Sequence, residues 1–252
     1  MKRLVALAAI LASGLLAFGP AHAAPGANLT WSRCYGEGVG TQNRAFACDT
    51  NAGSEVLVVS FVLPSPLAQV SGNEFVIDLI SQDDPLPTWW EFKNPGTCRQ
   101  TSLSMNLFEN PADVVCTDWQ QGLSSGGIGS YASSQGTISL EFPTRHRRLT
   151  IALAVPLTGL QDLIEDTEYF ACNIHVDHAK TVGTGACGGC AGSVCLVLNH
   201  FRATTTAIGN DVNLFGGSTP GSNMAQWQGT GADCLLVPVQ NRSWGQVKAL
   251  YR

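Results

Sequence analysis

The stretch Arg147-Arg148-Leu149-Thr150-Ile151-Ala152-Leu153-Ala154-Val155 decides the fold class. Leu149, Ile151, Leu153 and Val155 occupy every second position, and a period of two lines them up on one face of a β-strand. Segments 55–63, 75–80, 137–142, 169–176 and 194–201 share the character, rich in Val, Ile, Leu and Phe and bounded by Gly, Pro, Asn or Ser. No long helical stretch separates them. The spacing predicts an all-β domain, an antiparallel β-sandwich of Ig-like or jelly-roll type.

Helix is confined to two places. Asn110-Pro111-Ala112-Asp113 reads as an N-cap, a first-turn proline and a first-turn acid, so a short internal helix is expected to carry Cys116 and Trp119. Ser243 caps a C-terminal amphipathic helix over 244–252, in which Trp244, Val247, Leu250 and Tyr251 form the apolar stripe. That helix either docks on the sandwich or serves as a sorting tag. Gly- and Ser-rich loops are expected over 122–136, 183–192 and 209–222.

At the start of the chain, Lys2 and Arg3 precede an apolar run over 4–18, and Ala21-His22-Ala23 has the small-x-small form of a cleavage site. Residues 1–23 thus read as a signal peptide and 24–252 as one exported domain, secreted, periplasmic or at the cell surface. No other hydrophobic run reaches the ~20 residues of a membrane span. Acidic residues outnumber basic ones, 19 to 14, and Lys2 and Arg3 leave with the signal, which argues against a nucleic-acid partner. The basic cluster Arg145-His146-Arg147-Arg148 reads as a solvated strand start.

Nine cysteines follow the signal: 34, 48, 98, 116, 172, 187, 190, 195 and 234. In an exported chain they read as disulfides. Closeness in sequence suggests Cys34 with Cys48 and Cys98 with Cys116. The cluster Cys187-Gly-Gly-Cys190 followed by Cys195 has three readings: two disulfides drawing in Cys234, a zinc site completed by Cys172, or a redox pair. The disulfides fit the compartment best. Cys172 is left over as a buried thiol, since Phe170, Cys172, Ile174 and Val176 alternate along one strand face.

Two resemblances follow from local motifs. Leu163-Ile-Glu-Asp-Thr167-Glu-Tyr169 is similar to the tyrosine corner of fibronectin type III and Ig-like sandwiches, although Glu165 stands where a proline is common. Gly126-Gly-Ile-Gly-Ser-Tyr131, the 147–156 strand, Lys180-Thr-Val-Gly-Thr-Gly-Ala-Cys187 and the ending Ser243-Trp-Gly-Gln-Val-Lys-Ala-Leu-Tyr-Arg252 resemble uncharacterised exported proteins of environmental Gram-negative bacteria. That resemblance implies export and no particular chemistry.

Among candidate sites, His175-Val-Asp177-His178 places two imidazoles and a carboxylate within four residues, a partial metal-ligand set. It is similar to half of the HxHxDH motif of metallo-β-lactamase-fold hydrolases, with Asn173 in place of the first histidine. Strand alternation offers the plainer reading of an exposed face. Gly122-Leu-Ser124-Ser-Gly126 has the letters of a nucleophile elbow without its strand-to-helix context, and no pattern ties Ser124 to His146, His178 or His200. Gly36 to Gly40 lacks the lysine of a phosphate loop. Trp89-Trp90, between Pro87 and Pro95, reads as an exposed aromatic pair for a sugar or protein partner, or as one indole in the core. The chain is therefore read as an exported non-catalytic binding or structural module without a cofactor, its partner a carbohydrate or an envelope protein. The alternative is a secreted hydrolase or metalloprotein built on His175, Asp177 and His178.

Overall fold

Two β-sheets take up the alternating segments. The computed structural model describes residues 24–132, 144–229 and 234. The segment read as a signal over 1–23, the strand expected over 137–142 and the C-terminal helix expected over 244–252 lie outside the described residues. The first sheet is antiparallel and contains β1 (Gly26–Trp31), β3 (Ser54–Val62), β5 (Leu103–Asn106) and β9 (Glu168–Asp177), in the order β1-β3-β9-β5. The second runs β2 (Asn43–Arg44), β12 (Met224–Trp227), β10 (Val194–Thr205), β4 (Leu67–Ser81), β7 (His146–Ala154), β6 (Ser125–Ala132). Within it β12 and β2 pair in parallel, β11 (Val212–Leu214) adds to β10, and β8 (Gln161–Leu163) adds to β4.

One hydrophobic core joins the sheets. Leu29, Leu57, Val59 and Phe61 of the first meet Phe75, Ile77, Leu149, Ile151, Leu196 and Phe201 of the second, all buried in one cluster. Each such side chain contributes about 1.5–3 kcal/mol on leaving water. Leu149 and Ile151 lie opposite Ile77 and Phe75, so the alternation read in 149–155 is the inward face of β7.

The β9 face departs from simple alternation. A bulge where Val59 pairs with Cys172 and Ser60 with Phe170 shifts the strand by one residue. Cys172, Ile174 and Val176 therefore point into the core, whereas Phe170 packs on the outer side with Cys34, Val58 and Cys116. Cys172 is the cysteine without a disulfide, and burial pushes its thiol well above the usual range.

Four disulfides close the rest: Cys34–Cys116, Cys48–Cys190, Cys98–Cys187 and Cys195–Cys234. They correct both short pairings, Cys34 with Cys48 and Cys98 with Cys116, because the bonded residues are 82, 142, 89 and 39 positions apart. The turn that holds Cys187 and Cys190 sits against the segments around Cys48 and Cys98, so its cysteines leave the turn in different directions. This also removes the zinc reading, since three of its four sulfurs are engaged in disulfides and Cys172 faces the core. Gly189 makes the close approach possible: its φ is +99°, and a Cβ there would lie 2.0 Å from the Pro87 Cβ.

Pro87 begins a single 3-10 turn, Thr88–Trp90, which turns both indoles inward. Trp89 and Trp90 are 0% exposed, and this corrects their reading as an exposed pair. They join Trp31, Phe46, Phe92 and Trp227 in an aromatic cluster, with Trp89 and Trp227 centroids 5.0 Å apart. Trp89 Nε1 donates to Thr181 Oγ1 at 3.1 Å, and the buried Arg99 guanidinium lies 3.5 Å over the Trp89 ring.

The basic cluster is corrected too. His146 and Arg147 are buried, and Arg148 and His146 bind the buried Asp78 carboxylate on the outer side of the second sheet. Nor does a helix form at Asn110. Asp113 N–H donates to Asn110 O in a turn, and the next three N–H groups, of Val114, Val115 and Cys116, all donate to Glu37 Oε1. A carboxylate from elsewhere in the fold satisfies the donors that a helix would have turned toward its own carbonyls.

Candidate ligand-binding pocket

The outer face of the first sheet carries Ser54 and Val56 of β3, Asn173 and His175 of β9 and Asn106 of β5, where the strand period leaves them after the core positions are filled. Residues 107–116 cross this face as a strap. The Cys34–Cys116 bond and the Glu37 carboxylate pin its far end. Its near end is held by Asn173 Nδ2, which donates to Phe108 O at 2.9 Å, and by Asn106 Oδ1, which accepts Phe108 N–H at 2.9 Å. Arg33 ties Asp113 from the side.

Sheet and strap border an open cavity of about 360 Å³, lined chiefly by Ser32, Arg44, Ser54, Glu55, Asn106, Phe108, Glu109, Asn110, Asn173 and His175. That is the small end of the ~300–1,000 Å³ range of small-molecule sites. Three amides, two hydroxyls, an imidazole, a guanidinium and two carboxylates thus converge, while Phe108 is 66% exposed at the rim. His175 Nδ1 lies 3.3 Å from Ser54 Oγ, which orients the ring, and the other ring nitrogen has no hydrogen-bond partner among the described residues. Arg44 is engaged with Glu55.

Glu109 is the electrostatic anomaly of the pocket. Burial, reinforced by the charges of Asp118, Asp113 and Glu37, raises its pKa to about 7 despite a hydrogen bond from the Asp118 backbone. Its Oε1 is buried and has no hydrogen-bond partner among the described residues.

The His175, Asp177 and His178 set is split. His175 faces the pocket, the Asp177 carbonyl accepts from Arg99 Nη2, and His178 turns away to stack on Phe46 with centroids 3.7 Å apart. His178 Nδ1 bonds Ala52 O at 2.7 Å, and its Nε2 lies 3.3 Å from Glu55 Oε1 without hydrogen-bond alignment. Among the described residues, the group whose potential ligand atoms lie within 4.8 Å of one another is Cys34, Cys116 and Glu109, and the two sulfurs there form a disulfide. Ser124 binds Gln120 Oε1 rather than a histidine.

A second concavity, about 470 Å³, lies on the outer face of the second sheet over Val76, Gly127, Gly129, Thr150 and Ala152. Its main charged group, Arg202, is occupied by Glu74 and Asp211. It offers fewer directional partners than the strap pocket.

Of the pocket residues, sequence reading singled out His175 and missed Asn106, Phe108, Glu109 and Arg44. The run Asn106-Leu-Phe108-Glu109-Asn110-Pro111 carried the signal, an aromatic set among amides and an acid, but its cap-like letters read as a helix start.

Among the described residues, no helix is long and apolar enough to cross a membrane. Comparison with protein-family models, with curated proteins and with solved structures gave no match in any of the three. What stands is an all-β chain with antiparallel and mixed sheets and four disulfides, a set compatible with export.

Proposed function

We propose that this chain is an exported, non-catalytic binding module that holds a saccharide in the pocket beneath the 107–111 strap. The observation that carries this reading is the exposed Phe108 ring set at the rim of a cavity lined by Asn106, Asn173 and His175. Sugars present neighbouring hydroxyls that pair with amides and imidazoles, and C–H faces that pack on an aromatic ring. The frame is an Ig-like sandwich in this reading. Tyr169 supports it, since its hydroxyl accepts the Ile164 N–H at 2.9 Å, the backward bond that a tyrosine corner makes. The signal-like segment 1–23 and the resemblance to exported proteins support the location, with the cell envelope or its surroundings as the place of work.

The test uses the disulfide-bonded protein, exported to a bacterial periplasm and purified without reductant. Wild type, Phe108→Ala and His175→Ala are applied to a glycan array, and bound glycans are then titrated calorimetrically. Wild type should retain a defined glycan class, and each variant should weaken binding at least tenfold with its melting temperature little changed. An array with no bound glycan, or binding that survives both substitutions, overturns the proposal.

A further inference from the structure

We infer that the pocket prefers saccharides carrying a primary ammonium group, with Glu109 as the counter-charge. The inference rests on the saccharide reading and concerns which sugars the same site takes.

The charges around Glu109 do not balance. Asp113 on the strap, Asp118 just beyond it and Glu37 of the 35–37 turn act on it through their charges, and Glu55 also lines the cavity. The cations near them are already committed: Arg33 to Asp113 and Glu37, Arg44 to Glu55. His175 has one ring nitrogen on Ser54. Glu109 itself makes no ion pair among the described residues, and its Oε1 is a buried acceptor with no donor.

A carboxyl in this position has two ways to avoid an unpaired buried charge. It keeps a proton, which is what its raised pKa describes, or it meets a cation brought by the ligand. An ammonium supplies three donors and a compact charge in place of that proton. A neutral hydroxyl offers one donor and no charge, and a sugar acid would add a further carboxylate to the surrounding ones.

Calorimetry with chitosan oligosaccharide, whose sugars carry free amines, and with its N-acetylated counterpart provides the test at pH 6. The free amine is charged there and Glu109 retains much of its proton. Wild type should bind the amine form at least tenfold more tightly. Binding should release protons, seen as a heat that depends on the ionisation enthalpy of the buffer. Glu109→Gln should bring the two affinities within about twofold. Equal or tighter binding of the N-acetylated form, array binding restricted to sugars without amines, or an undiminished preference in Glu109→Gln overturns the inference while leaving the saccharide pocket in place. Absence of any glycan binding by wild type removes both. Should Glu109→Gln fail to fold, the wild-type preference and proton release still decide the matter.

Discussion

Arg148 grips the Asp78 carboxylate with two bonds of 2.7 Å, Nε to Oδ1 and Nη2 to Oδ2, across the register that sets these residues opposite each other on β7 and β4. His146 Nε2 adds a third contact at 2.8 Å, and Asn199 Nδ2 reaches Oδ2 from β10. A buried carboxylate on β4 is thus surrounded by donors from two neighbouring strands, β7 and β10.

Burial alone would raise the Asp78 pKa, but the hydrogen bonds and charges of His146 and Arg148 outweigh it and hold the group at about 2. A depressed acid stabilises the fold above its unfolded pKa, and that stability is lost as pH falls. The wild type should therefore lose on the order of 2 kcal/mol between pH 4 and pH 2 through this group. Asp78→Asn should cost on the order of 3 kcal/mol at pH 7, because the Arg148 guanidinium is left without its counter-charge. Urea denaturation across the pH range measures both, and a variant within about 1 kcal/mol of wild type at pH 7 would show that the network contributes little.

Glu109 predicts the opposite trend at higher pH. Its folded pKa of about 7 stands above its ordinary 4.5, from burial first and then the charges of Asp118, Asp113 and Glu37. Stability from this group is complete below pH 4.5 and is lost as pH rises through 7. Melting curves from pH 4.5 to 8 should show wild type declining relative to Glu109→Gln. Parallel profiles would place the carboxyl in ordinary solvent.

Arg99 stacks over Trp89 and donates to the carbonyls of Trp89 and Asp177, and burial lowers its pKa to about 9. Arg99→Met keeps the stem but leaves two carbonyls short of a donor, which should cost about 2–3 kcal/mol and alter the tryptophan emission. Arg99→Lys should not restore it, since an ammonium lacks the planar face and the fork. Full stability in either variant, read by denaturant titration, would contradict the role given to the guanidinium.

Non-reducing peptide mapping should recover Cys34–Cys116, Cys48–Cys190, Cys98–Cys187 and Cys195–Cys234, with Cys172 alone open to alkylation and only after denaturation. Replacing both Cys48 and Cys190 by Ser should lower stability by about 2–5 kcal/mol. Recovery of a Cys34–Cys48 peptide would contradict the placement of the strap.

The alternation of Leu149, Ile151 and Leu153 determined a strand and its inward face by itself, because strand period is a local property and one sheet face had to leave water. Cys172, Ile174 and Val176 were legible for the same reason, while Phe170 was not, since the bulge opposite Val59 and Ser60 belongs to the pairing of two strands. The tertiary structure alone decided which cysteines pair, that Trp89 and Trp90 lie inside, that Glu37 replaces a helix at Asn110, and that Asn106, Phe108, Glu109 and His175 share a cavity. Each depends on which distant segments meet once the two sheets pack together. These contacts join residues far apart in the chain, and no short window of sequence contains both partners of such a contact.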